Sequence, residues 1–112
     1  MKVAIVGSRN FTDYGQLTAA VEDLTITEVI SGGAAGADRL AERWAQEQGK
    51  HLTVIRAEWE CYGRSAGMIR NAEIVKRADM IIALWDGQSP GTRATIGMAK
   101  KAGKKLKIVR LD

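Results

Sequence analysis

Apolar residues in this chain occur either as short continuous runs or at helical spacing. The continuous runs predict five strands, at Lys2–Val6, Glu28–Ser31, Leu52–Ile55, Met80–Trp85 and Leu106–Leu111. Between them, apolar residues spaced i, i+3, i+4, i+7 predict four helices. Runs that are apolar at every position suit strands covered on both faces, so the pattern favours a parallel sheet between two helix layers.

Each predicted helix has an apolar face, and most have a recognisable end. The faces are Leu17-Ala20-Val21-Leu24, Ala37-Leu40-Ala41-Trp44-Ala45, Met68-Ala72-Val75 and Thr95-Met98-Ala99-Ala102. Thr12 or Asp13 can cap the first helix, because short polar side chains accept from free amides at a helix start. Gly49 and Gly103 are typical of helix ends and follow the second and fourth helices.

Strands that alternate with helices predict an α/β fold with right-handed crossovers. Short connections make consecutive strands neighbours except where the sheet changes direction, so we predict three layers with strand order 3-2-1-4-5. The first and fourth strands then lie side by side, and the crevice at their carboxyl ends is where such sheets bind ligands. At 112 residues the chain is expected to be a single domain, residues 1–112.

Composition argues against several classes of protein. Val3–Val6 is too short an apolar run for a signal peptide, and no stretch has membrane-spanning length. Cys61 is the only cysteine, so an internal disulfide is impossible, which fits a reducing cytoplasm. Cys61 and His51 do not have the spacing of a metal cluster. We therefore predict a cytoplasmic protein with no metal, no cofactor and no membrane partner.

The net charge of +4 is concentrated near the end of the chain. The basic residues there are Lys100, Lys101, Lys104, Lys105, Lys107 and Arg110. Such a cluster can bind nucleic acid or another anionic partner, or it can simply be a solvated helix face whose C-terminus favours cations. No aromatic residue interleaves the lysines as a stacking platform requires, so the solvated face is favoured.

Candidate ligand-binding residues follow three of the strands. They are Gly7, Ser8 and Arg9 after the first strand, Ser31, Gly32, Gly33, Gly36 and Asp38 after the second, and Trp85, Asp86, Gly87, Ser89, Gly91 and Thr92 after the fourth. A helix start has free amides and partial positive charge, so the last two loops can cradle an anion such as a phosphate. The glycines between Ser31 and Asp38 can instead serve tight packing of the helix on the strand. Gly91 allows close approach to the backbone, and Thr92 adds a hydroxyl donor.

Charged and aromatic residues nearby extend this hypothesis. Arg9 can grip a phosphate through two hydrogen bonds. Arg70, with Asn71 beside it, can contact a phosphate or a ribose, or it can pair with Glu73. Asp38 can complement the helix dipole or bond a sugar hydroxyl of the ligand. A further set of aromatic residues can stack on a base or simply close the sheet edges: Trp59, Tyr62 and Trp85.

Four segments taken together resemble the SLOG superfamily, which is named for the Smf DNA-processing and Lonely Guy families, and in particular its YspA/YpsA-related branch. They are Gly7-Ser8-Arg9 with Phe11, Ser31 through Asp38, Gly63–Gly67 with Arg70-Asn71, and Trp85-Asp86-Gly87 through Gly91-Thr92. The resemblance covers nearly the whole chain. It implies a Rossmann-like domain that binds nucleotides or nucleotide-derived, ADP-ribose-like ligands, often as a ligand sensor, and self-associates as a homo-oligomer.

The same resemblance raises two alternative functions. Lonely Guy relatives are phosphoribohydrolases with a motif similar to P-G-G-x-G-T-x-x-E, in which the Glu and a separate Arg are implicated in catalysis. Gly91-Thr92 match the motif and Arg70 matches the Arg, but Thr95 stands at the Glu position and cannot act as a carboxylate. Binding without turnover is therefore favoured. Other carboxylates can substitute only from other positions: Asp38, Glu58, Glu73 or Asp86.

The second alternative is binding of single-stranded DNA. It comes from the resemblance to DNA-processing protein A over the Rossmann-like core and from the basic residues near the end of the chain. Because that basic patch is modest, nucleic acid is not the favoured partner.

Overall fold

The computed structural model of the protein describes residues 1–110. Its strands are β1 (Lys2–Gly7), β2 (Glu28–Ser31), β3 (His51–Val54), β4 (Met80–Trp85) and β5 (Lys105–Arg110). Its helices are α1 (Tyr14–Val21), α2 (Ala37–Glu47), α3 (Trp59–Tyr62), α4 (Ala66–Arg77) and α5 (Pro90–Lys101), with a 3₁₀ turn at Gly63–Ser65.

The five strands form one parallel sheet in the order β3-β2-β1-β4-β5. The predicted α/β fold and strand order are confirmed. β1 and β4 are neighbours although most of the chain separates them, with Ala4 opposite Ile81 and Ile5 opposite Ile82. The loops that leave the carboxyl ends of β1 and β4 therefore start beside each other.

Alternate residues of the central strands enter two separate hydrophobic clusters, as expected from the period of two along a strand. Val3 and Ile5 pack with α1 and α2, in a cluster that includes Leu17 and Trp44. Ala4 and Val6 pack with α4 and α5, in a cluster that includes Ile74. Helices therefore cover both faces of the sheet, which explains why β1 from Val3 to Val6 and β4 from Met80 to Trp85 are continuously apolar.

Element boundaries differ from the predicted ones by small shifts. β3 begins and ends one residue earlier than predicted, and β5 begins at Lys105; Leu111, the predicted end of that strand, lies outside the described residues. Asp13 caps α1 by accepting from the Gln16 amide at 3.2 Å. α1 stops at Val21, and Leu24 reaches the same core from the turn that follows.

The segment after β3 contains more structure than its pattern predicted, since α3 and the 3₁₀ turn were not anticipated. In α4 only Val75 of the predicted apolar face is buried, whereas Met68 and Ala72 are exposed. The buried residues are instead Ala66, Ile74 and Val75. The predicted face was wrong because α4 packs through its two ends, which leaves Met68 and Ala72 on the outer side.

Over residues 1–110, every helix is too short or too polar to cross a lipid bilayer.

Candidate functional site

A trough runs along the carboxyl ends of β2, β1 and β4, as the fold predicts. Its inner pocket, of about 80 Å³, lies between α5 and β1 and is lined by residues that include Gly7, Asp38 and Gly91. Its outer cleft, of about 420 Å³, lies over the loop from β2 to α2 and ends at Trp59. The two cavities share Arg9, Ala34 and Arg70 as walls, so they are adjacent parts of the trough.

The inner pocket ends at the first turn of α5. Pro90 begins the helix, and Gly91 and Thr92 line the pocket. Their amides have no acceptor within the helix, as at any helix start. The N-cap residue Ser89 makes no side-chain capping bond; its hydroxyl donates instead to Asp86 Oδ2 at 3.0 Å, and its oxygen lies 3.0 Å from Ser8 Oγ. The positive end of this helix is therefore open toward the pocket.

Arg70 forms the wall between the two cavities. Its Nη1 donates to the Gly32 carbonyl oxygen at 2.7 Å, and its Nε donates to Asn71 Oδ1 at 2.8 Å. A Cβ on Gly32 would lie 2.8 Å from Nη1, so the absence of a side chain there allows the guanidinium to rest on the loop. Arg70 is thus a half-buried cation held in place by a neighbouring carbonyl and amide.

Asp38 is the buried acid of the inner pocket, with only 7% of its surface exposed. Its Oδ2 accepts from the Ala34 amide at 3.2 Å, which folds the β2–α2 loop back on the helix. Burial raises the pKa of Asp38 to about 6, although the Ala34 hydrogen bond and the Arg70 charge both oppose the rise. The carboxyl group can therefore gain or lose a proton near neutral pH.

The outer cleft adds a third arginine and an aromatic ring. Arg56, just after β3, lies over the loop with its Nη1 3.5 Å from the Gly33 carbonyl oxygen. Trp59 closes the far end and is 56% exposed. Arg9 is exposed and lines both cavities. Together Arg9, Arg56 and Arg70 surround the trough with positive charge that Asp38 offsets only when it is ionised.

The predicted residues of the β4–α5 loop bond mainly to one another. Asp86 Oδ1 accepts from the amides of Gln88 and Ser89, both at 2.8 Å. These bonds, with those from Ser89 and Ser8, lower the pKa of Asp86. Ser8 is buried, and its Oγ accepts from the Asp86 amide at 3.2 Å. Ser8, Asp86 and Ser89 form a hydrogen-bonded network beside the trough and do not line either cavity.

Trp85 and Gly87 lie on the β5 side of that loop. Trp85 Nε1 donates to the Ser89 carbonyl oxygen at 3.1 Å, and the ring lies between the guanidinium groups of Arg93 and Arg110. Gly87 has a φ of +83°, and the Arg110 side chain covers it. Both residues therefore already contact other parts of the protein. Their assignment as ligand-binding residues stays a prediction.

Three further predicted residues, Gly7, Gly36 and Ser31, pack against or bond to neighbouring backbone and side chains. A Cβ on Gly7 would overlap the Leu84 carbonyl oxygen, and one on Gly36 would overlap the carbonyl oxygens of Ser8 and Arg9. These glycines bring the β1 loop against β4 and α2. Ser31 is buried, and its hydroxyl donates to Glu42 Oε2 at 2.8 Å and accepts from the Gly33 amide. Of the three, only Gly7 also lines the inner pocket.

Several cavity-lining positions were absent from the predicted set, among them Arg56, Ala34 and Thr95. Arg56 had a usable signal, because it comes directly after a strand whose carboxyl end lies at the same rim as those of β1 and β2. Thr95 is buried, and its hydroxyl donates to the Gly91 carbonyl oxygen at 3.0 Å. It belongs to the inner pocket but makes its hydrogen bond within its own helix.

The other candidate acids lie outside the trough. Glu58 precedes α3 and lines a neighbouring groove with Tyr62 and Arg77, which meets the outer cleft at Arg56 and Arg70. Glu73 pairs with Arg77 at 2.8 Å rather than with Arg70. Of the four candidates, only Asp38 lines the inner pocket, since Asp86 is engaged in its own loop. No cluster of three or more potential metal ligands exists within residues 1–110.

Comparisons with known proteins agree with this architecture. Residues 1–62 match the YAcAr family model, described as the YspA, cpYpsA-related SLOG family. The chain is 39% identical over 113 aligned residues to the Gene 61 protein of Mycobacterium phage D29, an alignment that covers 91% of this chain and 90% of that protein. The chain belongs to the YspA, cpYpsA-related SLOG family.

A solved structure extends the likeness at the level of the fold. The X-ray structure of DNA processing protein A (DprA) from Streptococcus pneumoniae matches with a TM-score of 0.77 and 19% sequence identity. The match covers 99% of this chain and 50% of that chain, so this chain spans about half the length of DprA. The Rossmann-like α/β architecture is therefore shared.

Proposed function

We propose that the trough binds a nucleotide or nucleotide-derived anion, of the ADP-ribose-like class, and that the protein acts as a binding or sensing module. The observation that carries the proposal is the inner pocket, where the open N-terminus of α5 meets Arg9 and Arg70. A helix N-terminus together with two guanidinium groups is a strong anion site, since free amides, dipole and charge act on one group. Membership of the SLOG family supports a nucleotide-related ligand.

A phosphate fits the inner pocket best. The amides of Gly91 and Thr92 donate to its oxygens, and Arg70 can turn from the Gly32 carbonyl toward the anion without leaving the pocket wall. Asp38 then faces a sugar hydroxyl, for which it is an acceptor when ionised and a donor when protonated. These roles for Gly91, Thr92, Arg70 and Asp38 retain the sequence-based hypothesis.

The outer cleft has the size and walls for the rest of such a ligand. Its volume of about 420 Å³ lies within the usual range of small-molecule sites. Trp59 offers an exposed ring on which a base can stack, and stacking of this kind is worth about 1–3 kcal/mol per base. Arg56 and Arg9 can neutralise a second phosphate between the base and the inner pocket.

A phosphoribohydrolase is the second candidate, and Asp38 is the observation that favours it. A carboxyl group with a pKa of about 6 beside Arg70 can act as a general acid or base near neutral pH. Thr95 provides no carboxylate at the position where the Lonely Guy motif has Glu. Release of free base from nucleoside monophosphates, measured by chromatography, would establish turnover, and its loss in Asp38→Asn would assign the acid.

The first experiment is thermal unfolding of the protein with a panel of mononucleotides, dinucleotides and ADP-ribose. A ligand at a hundred times its Kd stabilises the native state by about 2.7 kcal/mol, which is easily seen as a rise in Tm. We expect phosphorylated ligands to raise Tm and the matching nucleosides to do so much less, because the phosphate supplies the main contacts.

The placement of the phosphate is tested with a pair of glycine variants in α5. No atom lies within 4 Å of a Cβ added at Gly91 or Gly97, so valine fits the fold at either position. Only Gly91 lines the inner pocket. Calorimetry should show that Gly91→Val loses binding and that Gly97→Val retains it. Equal affinity of both variants for a ligand that stabilises the wild type would place its phosphate elsewhere.

A further inference from the structure

A second concave surface lies on the outer side of α4 and α5, away from the trough. Its floor is apolar and consists of Ala72, Val75, Met98 and Ala102, and its rim carries Lys76, Lys101 and Lys104. This surface, the α4/α5 groove, has a volume of about 420 Å³. It lies near the amino ends of β4 and β5, because Lys104 Nζ donates to the Ala78 carbonyl oxygen at 2.8 Å, just before β4.

The groove combines an uncovered apolar floor with charge of one sign. The carboxylate nearest along α4, Glu73, pairs with Arg77, and no acid lies among the described residues that line the groove. The ammonium groups of Lys76 and Lys101 take part in no ion pair within residues 1–110. Grooves between two helices with a methionine in the floor are typical sites for an amphipathic helix.

We propose that the α4/α5 groove docks an acidic amphipathic helix of a partner protein. The apolar face of that helix would cover Ala72, Val75 and Met98, while its carboxylates would lie against Lys76 and Lys101. The complementary charge would set orientation and speed association, and the apolar floor would supply most of the affinity. Two of the basic residues near the end of the chain, Lys101 and Lys104, thereby acquire a role without any nucleic acid.

A second copy of this chain fits the groove less well. Two-fold packing of the groove on itself would place Lys76 and Lys101 against the same residues of the other copy, and like charges at close range are unfavourable. Nucleic acid also fits less well, because the floor is apolar and has no aromatic side chain to stack on bases. The acidic partner helix remains the occupant that satisfies both the floor and the rim.

The experiment measures fluorescence anisotropy of a labelled synthetic helix that carries Leu on one face and Glu on the other. We expect micromolar binding that weakens as salt rises. Ala72→Glu should lower the affinity at least tenfold, because it puts a carboxylate on the floor. Ala19→Glu is the matched control: Ala19 is exposed on α1, on the opposite face of the sheet, and its substitution should leave the affinity unchanged.

A charge reversal sharpens the test. Lys76→Glu combined with Lys101→Glu should lose the acidic helix and gain a helix of the same design with Lys in place of Glu. Equal binding of a scrambled, non-amphipathic acidic peptide would overturn the proposal, since simple charge attraction would then suffice. So would binding of a single-stranded oligothymidylate, but not the helix, in a lysine-dependent way. Self-association abolished by Ala72→Glu would assign the groove to a second copy instead.

The groove does not depend on the proposed nucleotide site. Nucleotide-induced stabilisation of Ala72→Glu should match that of the wild type, because the groove and the trough lie at opposite ends of the strands. This measurement also confirms that the variant is folded. Loss of helix binding together with normal ligand stabilisation therefore supports the docking surface by itself.

Discussion

Asp38 in the first turn of α2 and Asp86 in the β4–α5 loop both accept backbone hydrogen bonds, yet the two carboxylates differ in their surroundings. Asp38 is buried, accepts from the Ala34 amide, and has a pKa raised to about 6 by burial. Asp86 accepts from two amides and the Ser89 hydroxyl at the surface, and these bonds lower its pKa. Hydrogen bonds dominate where water remains, and desolvation dominates where it does not.

The two loops also differ in which side chains hold them in place. The β4–α5 loop is held by its own polar side chains and keeps the start of α5 in place. The β2–α2 loop is instead covered by Arg70 and Arg56, which belong to other elements and donate to the carbonyl oxygens of Gly32 and Gly33. Two glycine-containing turns at the same rim thus have different roles, and four substitutions distinguish them.

The largest effect is expected where the β2–α2 loop meets the β1 loop. Gly36→Ala places a methyl group against the carbonyl oxygens of Ser8 and Arg9 at a φ of +73°. Strain and overlap together should cost roughly 3 kcal/mol or more of the free energy of unfolding, measured by urea denaturation. Gly103→Ala is the control, because its φ is +68° but no atom lies within 4 Å; it should cost about 1 kcal/mol.

The second effect is the pH dependence caused by Asp38. Because its folded pKa of about 6 exceeds the unfolded value near 3.8, the folded state holds the extra proton between these values, and stability falls as pH rises from about 4 to 6. Asp38→Asn removes this loss. As pH rises from 4 to 7, the free energy of unfolding of the variant should increase by about 3 kcal/mol relative to that of the wild type. Denaturation curves at each pH measure this difference. A constant difference across that range would contradict the assignment.

The third effect concerns Arg70, the arginine between the two cavities. Arg70→Ala should weaken binding of a phosphorylated ligand by about 1.5–3 kcal/mol, because a charge-assisted bond is lost. Titration calorimetry on a ligand from the stabilisation panel measures this. Arg77→Ala is the control, since Arg77 pairs with Glu73 on the same helix and does not line the trough. Similar losses in the two variants would mean that general positive charge is responsible.

The smallest effect is expected from Asp86. A lowered folded pKa contributes stability that is present above the unfolded value and is lost as pH falls through the folded one. Asp86→Asn should therefore lower Tm at pH 7 and flatten the decline of Tm below pH 4. The contribution of Asp86 to stability rises with pH, whereas that of Asp38 falls. A scan of both variants from pH 2 to 8 therefore separates the two loops.

The strands and their order could be predicted because a doubly covered parallel sheet makes Val3–Val6 of β1 and the whole of β4 continuously apolar. The inner pocket followed from the topology, since the β1 and β4 loops must start side by side. The hydrogen-bond partners of individual polar side chains could not be predicted. Ser8 and Asp86 have the residue types of ligand contacts, but burial and local amides decide that they bond to each other. Arg56 directly follows the predicted third strand, so its place at the same rim could have been predicted from the topology but was not.

The three tryptophans give the molecule a built-in optical reporter. Trp44 is buried in the core, and Trp85 lies between two guanidinium groups, so their emission should change little when the trough fills. Trp59 alone among them is mostly exposed and lines the outer cleft. A base that stacks on its indole would quench its emission, and occupancy of the cleft could then be followed in real time on unlabelled protein.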